Sequence, residues 1–213
     1  MEKNLTSIII LNYNGKLFLK NCIESIMKNT PEKYEIIIVD NNSPDKSGEL
    51  FLDEYKKCKF ILNKKNVGVP EGLNIGIDNA KGEFIVFLNN DLVVKEKWLT
   101  EFFVAHKKFG DALYQPKSLK MKNLNEIDGV GNMINVFGFG FSRGKGEPDI
   151  GKYDKNIEEI SYASGTCMFL PKKIINEIGI FDKTLFAYHE EVDFGWRARL
   201  NGYKSYYVPG SLI

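Results

Sequence analysis

The sequence predicts an α/β fold in which a mostly parallel central sheet is flanked by helices and carries hairpins and loops at one edge. Short apolar runs alternate with segments of helical periodicity from Leu5 to Gln115. A stretch rich in Gly, Asn and Phe (117–148) then breaks this rhythm, and helical order returns after Pro171. Because alternating strands and helices connect through right-handed crossovers, the first part of the chain is expected to form parallel strands of one sheet.

The individual strands follow from short apolar or β-branched runs that end at turn residues. They are predicted at 5–11, 34–39, 60–62, 82–89, 112–115 and 203–208. The helices follow from apolar residues spaced three or four apart. One is predicted after Gly15, with Leu19, Cys22, Ile23 and Ile26 inward, and another after Pro44, with Ser43 or an asparagine as its cap. The other helices are predicted at 71–80, 95–108 and 190–200. In the last of them Val192, Trp196 and Leu200 are four residues apart.

The run from Gly82 to Asn89 is the most informative of these elements. Its residues from Phe84 onward are apolar except the last, and the run is too short to span a membrane, so it predicts a strand buried on both faces. Asp91 follows its carboxyl end, which is the edge where open α/β sheets bind ligands. A carboxylate there, preceded by two asparagines, can hold a divalent cation against a phosphate.

Polar residues follow other predicted strands as well, and the segments are Asn12-Tyr13-Asn14, Asp40-Asn41-Asn42-Ser43 and Asn66-Val67-Gly68. The carboxyl ends of parallel strands share one edge, so these groups are expected to converge near Asp91. Asp40 can accept a hydrogen bond from the ring N–H of a pyrimidine, Tyr13 can stack on that base, and Gly68 lets backbone approach a ribose or phosphate. Each feature alone is explained equally well by a helix cap or a turn.

A second polar cluster begins the helix predicted at 190–200. Glu190 and Glu191 are adjacent acids whose repulsion raises the pKa of one of them, which suits a general base. The same cluster also has a purely structural explanation, because acids favour a helix N-terminus and Asp193 and Arg197 have the spacing of a surface ion pair. His189 has no second histidine nearby and is expected to be a loop residue rather than a metal ligand.

Composition limits the classes of function. Hydrophobic residues make up 43% and charged residues 27% of the 213 residues, as in ordinary globular proteins, and the net charge of +1 gives no electrostatic case for a nucleic-acid partner. Three widely spaced cysteines fit neither a disulfide framework nor a zinc site, which favours a reducing cytoplasm. The sequence shows no signal peptide or membrane span. We expect one domain over 1–213, truncated at its C-terminus because no helix follows the last strand.

The ordered motifs are SIIILNYN (7–14), VDNNS (39–43), NVG (66–68), NIG (74–76), LNND (88–91), GIFD (179–182) and EEVD (190–193). This set resembles the family 2 glycosyltransferases, specifically their inverting, non-processive, rhamnosyltransferase-like branch. The resemblance covers nearly the whole chain and implies the GT-A nucleotide-sugar fold. It also implies a nucleotide-binding half (1–116) and an acceptor and catalytic half (117–213).

The resemblance implies a role for individual residues. Those expected at the donor nucleotide are Leu11, Asn12, Tyr13, Asp40, Asn42, Asn66, Gly68, Asn74, Asn90 and Asp91. Those expected at the donor sugar or the acceptor are Ser164, Gly165, Thr166, Glu190 and Trp196. Asp91 stands at the family's metal motif for Mg²⁺ or Mn²⁺, and Glu191 stands at the position of the catalytic base.

The chain also departs from the family pattern. Its metal motif keeps a single aspartate, and Glu191 replaces the usual Asp, which lengthens the reach of the base by one methylene. The residues Phe194 to Arg197 stand where processive synthases have Gln-x-x-Arg-Trp. The chain ends before the histidine that often serves the family as a further metal ligand.

The implied activity is inverting transfer of a sugar from a UDP- or dTDP-sugar to a hydroxyl of a saccharide or lipid-linked acceptor, in cell-surface polysaccharide synthesis. The expected location is cytoplasmic, with peripheral association at the inner membrane face; the oligomeric state stays open. Two alternatives remain. The first is a sugar nucleotidyltransferase, which needs a Gly-rich loop where this chain has Asn12 to Lys16. The second is a degenerate module that would only bind carbohydrate or nucleotide. A dinucleotide dehydrogenase would need Gly-x-Gly-x-x-Gly there, which is missing.

Overall fold

A computed structural model describes residues 1–213. Its strands are β1 (Glu2–Asn12), β2 (Tyr34–Asp40), β3 (Lys59–Leu62), β4 (Gly82–Asn89), β5 (Leu113–Lys120), β6 (Asn123–Gly129), β7 (Asn132–Ile134), β8 (Gly140–Ser142), β9 (Glu158–Ile160), β10 (Cys167–Pro171) and β11 (Ser205–Leu212). Its helices are α1 (Leu19–Asn29), α2 (Ser47–Leu52), α3 (Val69–Asn79), α4 (Trp98–Phe109), α5 (Lys172–Ile178) and α6 (Glu190–Leu200), with a 3-10 turn at Lys183–Leu185. None of the helices combines the length and apolarity needed to cross a bilayer.

Nine strands form one sheet in the order β3-β2-β1-β4-β10-β5-β11-β9, with β6 paired to β5. The first four strands in this order are parallel, and β11 is parallel to β5. Strand β10 runs antiparallel between β4 and β5, so the sheet is mixed beyond β4. The α/β fold with a helix-flanked central sheet is therefore confirmed, but its parallel character is confined mainly to the first half of the chain.

The sheet separates two apolar cores. Along β1, Ile8 lies in the core covered by α1 and α4, whereas Ile9 lies in the core covered by α3, α5 and α6. Strand β4 alternates in the same way, with Val86 on the first face and Phe87 on the second. Because successive side chains of a strand point to opposite faces, β4 is buried on both sides, as its apolar run predicts.

The residues after β2 depart from the predicted helix. Helix α2 begins at Ser47 rather than at Pro44, and Lys46 precedes it with a left-handed backbone (φ 59°) and no side-chain cap. The Ser43 hydroxyl, expected as a cap, instead donates to the Asp40 carboxylate over 2.7 Å. Ser43 therefore stabilises the end of β2, and Pro44 lies in the turn that follows.

Helix α6 forms over the predicted residues but buries a different face from the one its large apolar residues suggest. Phe194, Gly195 and Ala198 are buried, whereas Trp196 and Leu200 are exposed. Gly195 lies against Tyr162, where an added Cβ would come within 2.6 Å of the Tyr162 Cβ. The helix thus packs closely through a small residue, and its tryptophan is left at the surface.

The segment 117–148 forms hairpins, as predicted. Strands β5 and β6 make one hairpin and β7 and β8 make a separate two-stranded ribbon. The expected division between two halves at residue 116 falls inside β5, so the sheet continues across it.

Candidate active site

A cleft of about 460 Å³ opens where the carboxyl ends of β1 and β4 meet the start of α6. It brings together nine of the residues that the sequence singled out: Leu11, Tyr13, Asn90, Asp91, Ser164, Gly165, Thr166, Glu190 and Glu191. These residues come from four separate parts of the chain. Their convergence follows from the shared edge of the parallel strands and from the placement of α6 beside it.

The side chain of Asn12 joins three strand ends beneath this cleft. Its Nδ2 donates to Asp40 Oδ2 over 2.6 Å and to Ser47 Oγ over 2.8 Å. Its Oδ1 accepts from Asn90 Nδ2 over 2.7 Å. Gly15 lies so close to this amide that a side chain there would collide with it. Asn12 is buried and fully hydrogen-bonded, so its role in this structure is to fix the ends of β1, β2 and β4 relative to one another.

Asp40 is buried within the same network and does not line the cleft. Its Oδ1 accepts from the Ser43 backbone N–H over 2.9 Å, and its Oδ2 accepts from the Ser43 hydroxyl and from Asn12. Gly48 packs on its other side, where an added Cβ would lie 2.5 Å from the Asp40 Cγ. A pyrimidine N–H would therefore have to replace one of these donors to reach the carboxylate.

Five other expected site residues, namely Asn42, Asn66, Gly68, Asn74 and Trp196, lie outside the cleft lining. The Asn74 amide is buried and donates to the Phe181 carbonyl over 2.9 Å while accepting from the Phe181 N–H over 3.1 Å. Asn66 Oδ1 accepts from the Gly68 N–H over 2.9 Å. The Asn74 amide thus joins helix α3 to the backbone at Phe181, whereas the Asn66 amide closes a turn within the loop before α3. In this structure the Asn74 side chain is not free to contact a ribose.

Gly68 is required by a close approach between two loops. Its backbone has φ +85°, and a Cβ there would collide with the Phe186 carbonyl oxygen. That same oxygen accepts from the Val69 N–H over 2.6 Å. The loop before α3 is therefore fastened to the loop before α6, which carries the acid pair.

The loop before α6 has an unusual backbone. Phe186, Tyr188 and His189 have positive φ values of 52°, 68° and 68°, and a tight turn at Phe186 is closed by the Ala187 N–H donating to the Leu185 carbonyl over 2.5 Å. Such conformations cost about 1–3 kcal/mol each and concentrate at functional sites. Ala187 and Tyr188 line the cleft, and the Tyr188 side chain is 82% exposed. Tyr188 was not among the expected site residues, although an aromatic residue two positions before an acid pair is a usable signal.

The two acids at the start of α6 have different surroundings. Glu190 is only 8% exposed, and its Oε2 has no hydrogen-bond partner. Burial raises the pKa of the Glu190 carboxyl above its ordinary value, and the charge of Glu191 adds to this effect. Glu191 is half-buried in the cleft lining, with its Cβ beside Gly165. The raised pKa expected for one member of the pair therefore belongs to Glu190.

The segment Ser164-Gly165-Thr166 is held between two strands. Gln115 Oε1 on β5 accepts from the Ser164 N–H over 2.9 Å, and the Thr166 carbonyl accepts from the Asn89 N–H over 3.0 Å. Gln115 is buried and was not among the expected site residues. A glutamine at the end of the strand predicted at 112–115 is the signal that could have found it, because a buried amide needs a partner.

Asp91 has the surroundings of a ligand for a hard cation. Its side chain is exposed at the rim of the cleft and makes no hydrogen bond or ion pair with the protein. No group of three or more His, Cys, Asp or Glu side chains could hold a metal by itself. Mg²⁺ typically uses one or two carboxylates, several waters and substrate phosphates. The single carboxylate fits a Mg²⁺ or Mn²⁺ ion that is held mainly by a bound diphosphate and water.

Comparison with known proteins identifies the family of the chain. Residues 7–179 match the family described as "Glycosyl transferase family 2". The low-salt glycan biosynthesis hexosyltransferase Agl10 of Haloferax volcanii is 26% identical over 200 residues, which are 91% of this chain and 61% of that protein. The uncharacterized glycosyltransferase MJ1057 of Methanocaldococcus jannaschii is 27% identical over 213 residues, covering 96% of this chain and 68% of that protein.

Solved structures show the same fold. GalNAc-T7 crystallised with UDP, GalNAc and Mn²⁺ superposes with a TM-score of 0.79 at 21% identity, over 97% of this chain and 43% of that one. TarS 1-349 of S. aureus in complex with UDP gives a TM-score of 0.66 at 21% identity, over 92% of this chain and 55% of that one. The chain thus spans less than two thirds of the length of Agl10 and of both solved structures. The matched residues and the shared architecture show that this chain belongs to glycosyl transferase family 2 and has the GT-A fold.

Proposed function

We propose that this chain carries the catalytic site of an inverting, non-processive glycosyltransferase. It would move a sugar from a UDP- or dTDP-sugar to a hydroxyl of a saccharide or lipid-linked acceptor. The observation that carries the proposal is that Asp91, at the end of β4, and Glu191, at the start of α6, line the same cleft. The Asp91 carboxylate is free to bind a cation that also contacts a diphosphate, and the Glu191 carboxylate is available to accept a proton.

The donor is proposed to enter along β1. Tyr13 is partly exposed in the cleft beside Leu11, so its ring is available to stack on a base. The network of Asn12 and Asp40 lies beneath these residues and holds the strand ends in place. UDP is present in the GalNAc-T7 and TarS structures, which supports a uridine nucleotide here, and dTDP presents the same ring N–H.

Asp91 would hold Mg²⁺ or Mn²⁺, and such an ion supplies stabilisation of the negative charge that develops on a leaving diphosphate. Glu191 is proposed to take the proton from the acceptor hydroxyl. The acceptor oxygen then forms a bond to the anomeric carbon as the bond from that carbon to the diphosphate oxygen breaks. Attack from the side opposite the leaving group inverts the configuration of that carbon.

The acceptor is proposed to lie in a second groove, of about 750 Å³, beside α6. Trp196 and Val192 line this groove on the helix, and His189 lines it at the helix start. His189 immediately precedes the two acids that line the donor cleft, so an acceptor in the groove would approach Glu191 from the outer side of α6. The exposed Trp196 ring suits the apolar face of a sugar.

The proposed cellular role is synthesis of a surface polysaccharide on the cytoplasmic side of the membrane. The name of the related Agl10, a glycan biosynthesis hexosyltransferase, supports hexosyl transfer as the reaction. All three cysteines are free thiols, which agrees with a reducing compartment.

A donor screen tests the proposal. The protein is incubated with Mn²⁺, a panel of UDP- and dTDP-sugars and simple glycoside acceptors, and the nucleoside diphosphate released and the anomeric configuration of the product are measured. The expected result is acceptor-dependent release with inversion, lost in Glu191→Gln. Release of pyrophosphate from a nucleoside triphosphate and a sugar phosphate would identify a nucleotidyltransferase instead. Nucleotide binding without release from any donor would favour a non-catalytic module.

A further inference from the structure

The ribbon β7–β8 ends in the most exposed apolar cluster of the molecule. Val136, Phe137, Phe139 and Phe141 are 94%, 82%, 70% and 51% exposed, respectively. No charged residue occurs from 129 to 142, although charged residues make up 27% of the chain. Contiguous apolar patches of this kind on soluble proteins mark contact surfaces. We call residues 135–141 the aromatic tip.

The aromatic tip is a turn held by its own hydrogen bonds. Asn135 Oδ1 accepts from the Phe137 and Phe139 N–H groups over 2.9 and 3.0 Å, and the Asn135 N–H donates to the Phe139 carbonyl over 3.0 Å. The base of the ribbon is tied to the main body, because the Ile134 N–H donates to Ser161 Oγ over 3.0 Å. These hydrogen bonds close the turn while its apolar side chains are exposed, so the side chains are displayed by a fixed scaffold.

The chemistry of the aromatic tip favours hydrocarbon over sugar or protein as its occupant. Its outward side chains carry no hydrogen-bonding group, whereas a saccharide site needs donors and acceptors beside its aromatic rings. The four side chains expose on the order of 500 Å² together, from the areas typical of such residues. A stable protein interface buries about 800 Å² on each partner. A small, protruding apolar tip suits shallow insertion into the interfacial region of a bilayer.

We propose that the aromatic tip inserts into a lipid surface and holds the enzyme against the membrane. The tip is continuous with the groove beside α6, since Ile134 and Val136 line that groove together with Trp196. A membrane at the tip would thus lie at one end of the groove. That the groove then receives a lipid-linked acceptor rests on the proposed function, whereas the membrane contact rests on the ribbon alone.

Vesicle co-sedimentation tests the proposal. The full chain is mixed with vesicles of phosphatidylcholine and phosphatidylglycerol, without donor, and compared with Phe137→Ser/Phe139→Ser and with Val104→Ser. Val104 is exposed on α4 and serves as the matched control. We expect the double variant to lower the partition coefficient at least about tenfold and the control to leave it unchanged. All three proteins should show the same melting temperature without vesicles.

Three outcomes would overturn the proposal. The first is that the unaltered chain does not bind vesicles, and the second is that the Val104→Ser control loses as much binding as the double variant. The third is that the unaltered chain is a dimer in solution and the double variant is a monomer that binds vesicles as well as the unaltered chain does. Light scattering without vesicles detects the last case, in which a second copy of the chain covers the tip. The measurement needs no turnover, so a chain that fails to transfer sugar can still bind vesicles, and failure to bind leaves the transfer reaction untouched.

Discussion

Asn90 on the loop after β4 donates its side-chain amide to Asn12 Oδ1 at the end of β1 over 2.7 Å. Asn12 in turn donates to Asp40 at the end of β2 over 2.6 Å. Asn90 immediately precedes Asp91, so the position of the candidate cation ligand depends on hydrogen bonds that run from the half-buried Asn90 amide through the buried Asn12 amide to the buried Asp40 carboxylate. The site is therefore as rigid as this network.

Replacing Asn12 tests that dependence. In Asn12→Ala, the buried Asp40 carboxylate loses one of its donors and Asn90 loses its acceptor, so the free energy of unfolding should fall by about 1–3 kcal/mol. Urea denaturation measures it. Asn176→Ala is the control, because Asn176 is exposed on α5. Equal stability of the two variants would show that the network does not hold the strand ends.

Replacing Asp91 tests the cation site. Asp91→Ala should weaken UDP binding at least about tenfold in Mn²⁺ and leave the weaker binding in EDTA unchanged, because Asp91 acts only through the ion. Titration calorimetry under both conditions gives the comparison. Asp78→Ala on the exposed side of α3 should bind as the unaltered chain does. The assignment of Asp91 fails if Mn²⁺-dependent affinity survives in Asp91→Ala.

Replacing each acid of the pair tests which one is the base. Glu191→Gln should lower turnover at least about a hundredfold while nucleotide affinity is retained, because only proton transfer is removed. Glu190→Gln should keep turnover within about tenfold, since glutamine resembles the protonated acid that burial favours at this position. Steady-state kinetics and UDP titration of both variants decide the matter. The opposite order of effects would transfer the role of base to Glu190.

The raised pKa of Glu190 also predicts a pH dependence of stability. The folded state binds this proton more tightly than the unfolded state, so stability falls as the pH rises from the ordinary Glu pKa, about 4.3, through the raised folded value. Glu190→Gln should remove this decrease in stability with rising pH. The variant should therefore be more stable than the unaltered chain at neutral pH, and the advantage should shrink below about pH 4. Denaturation midpoints measured across pH provide the test, and a pH-independent difference would contradict it.

Replacing two glycines distinguishes the cost of a steric clash from the cost of backbone strain. Gly68 and Gly110 have similar backbones, with φ +85° and +79°, but an added Cβ at Gly68 meets the Phe186 carbonyl whereas nothing lies within 4 Å at Gly110. Gly110→Ala should lose about 1–3 kcal/mol of stability from strain alone. Gly68→Ala should lose about 1–3 kcal/mol more and reduce turnover, because the Phe186 loop leads into the acid pair. Equal losses in the two variants would mean that the loop contact contributes nothing.

The parts of the fold that could be predicted from the sequence are those set by a local pattern of apolar residues. The apolar run of β4 predicted a strand buried on both faces, and the strand–helix alternation placed Asp91 at the ligand-binding edge. Helix α6 was predicted with its bounds, but its buried face was not, because close packing of Gly195 on Tyr162 outweighs the burial of Trp196. Hydrophobic periodicity cannot register such a contact, which depends on another part of the chain.

The sequence by itself determined the alternation of strands and helices from residue 5 to residue 115, the resemblance to the family, and the convergence of Tyr13 and Asp91 on one sheet edge. Only the tertiary structure decided that Asn12, Asp40 and Asn74 turn inward to join strands and helices, and that Glu190 is buried with a raised pKa. The reason is physical. Local patterns fix which residues stand at a strand end, whereas burial and hydrogen-bond partners depend on neighbours as far as 107 residues away along the chain.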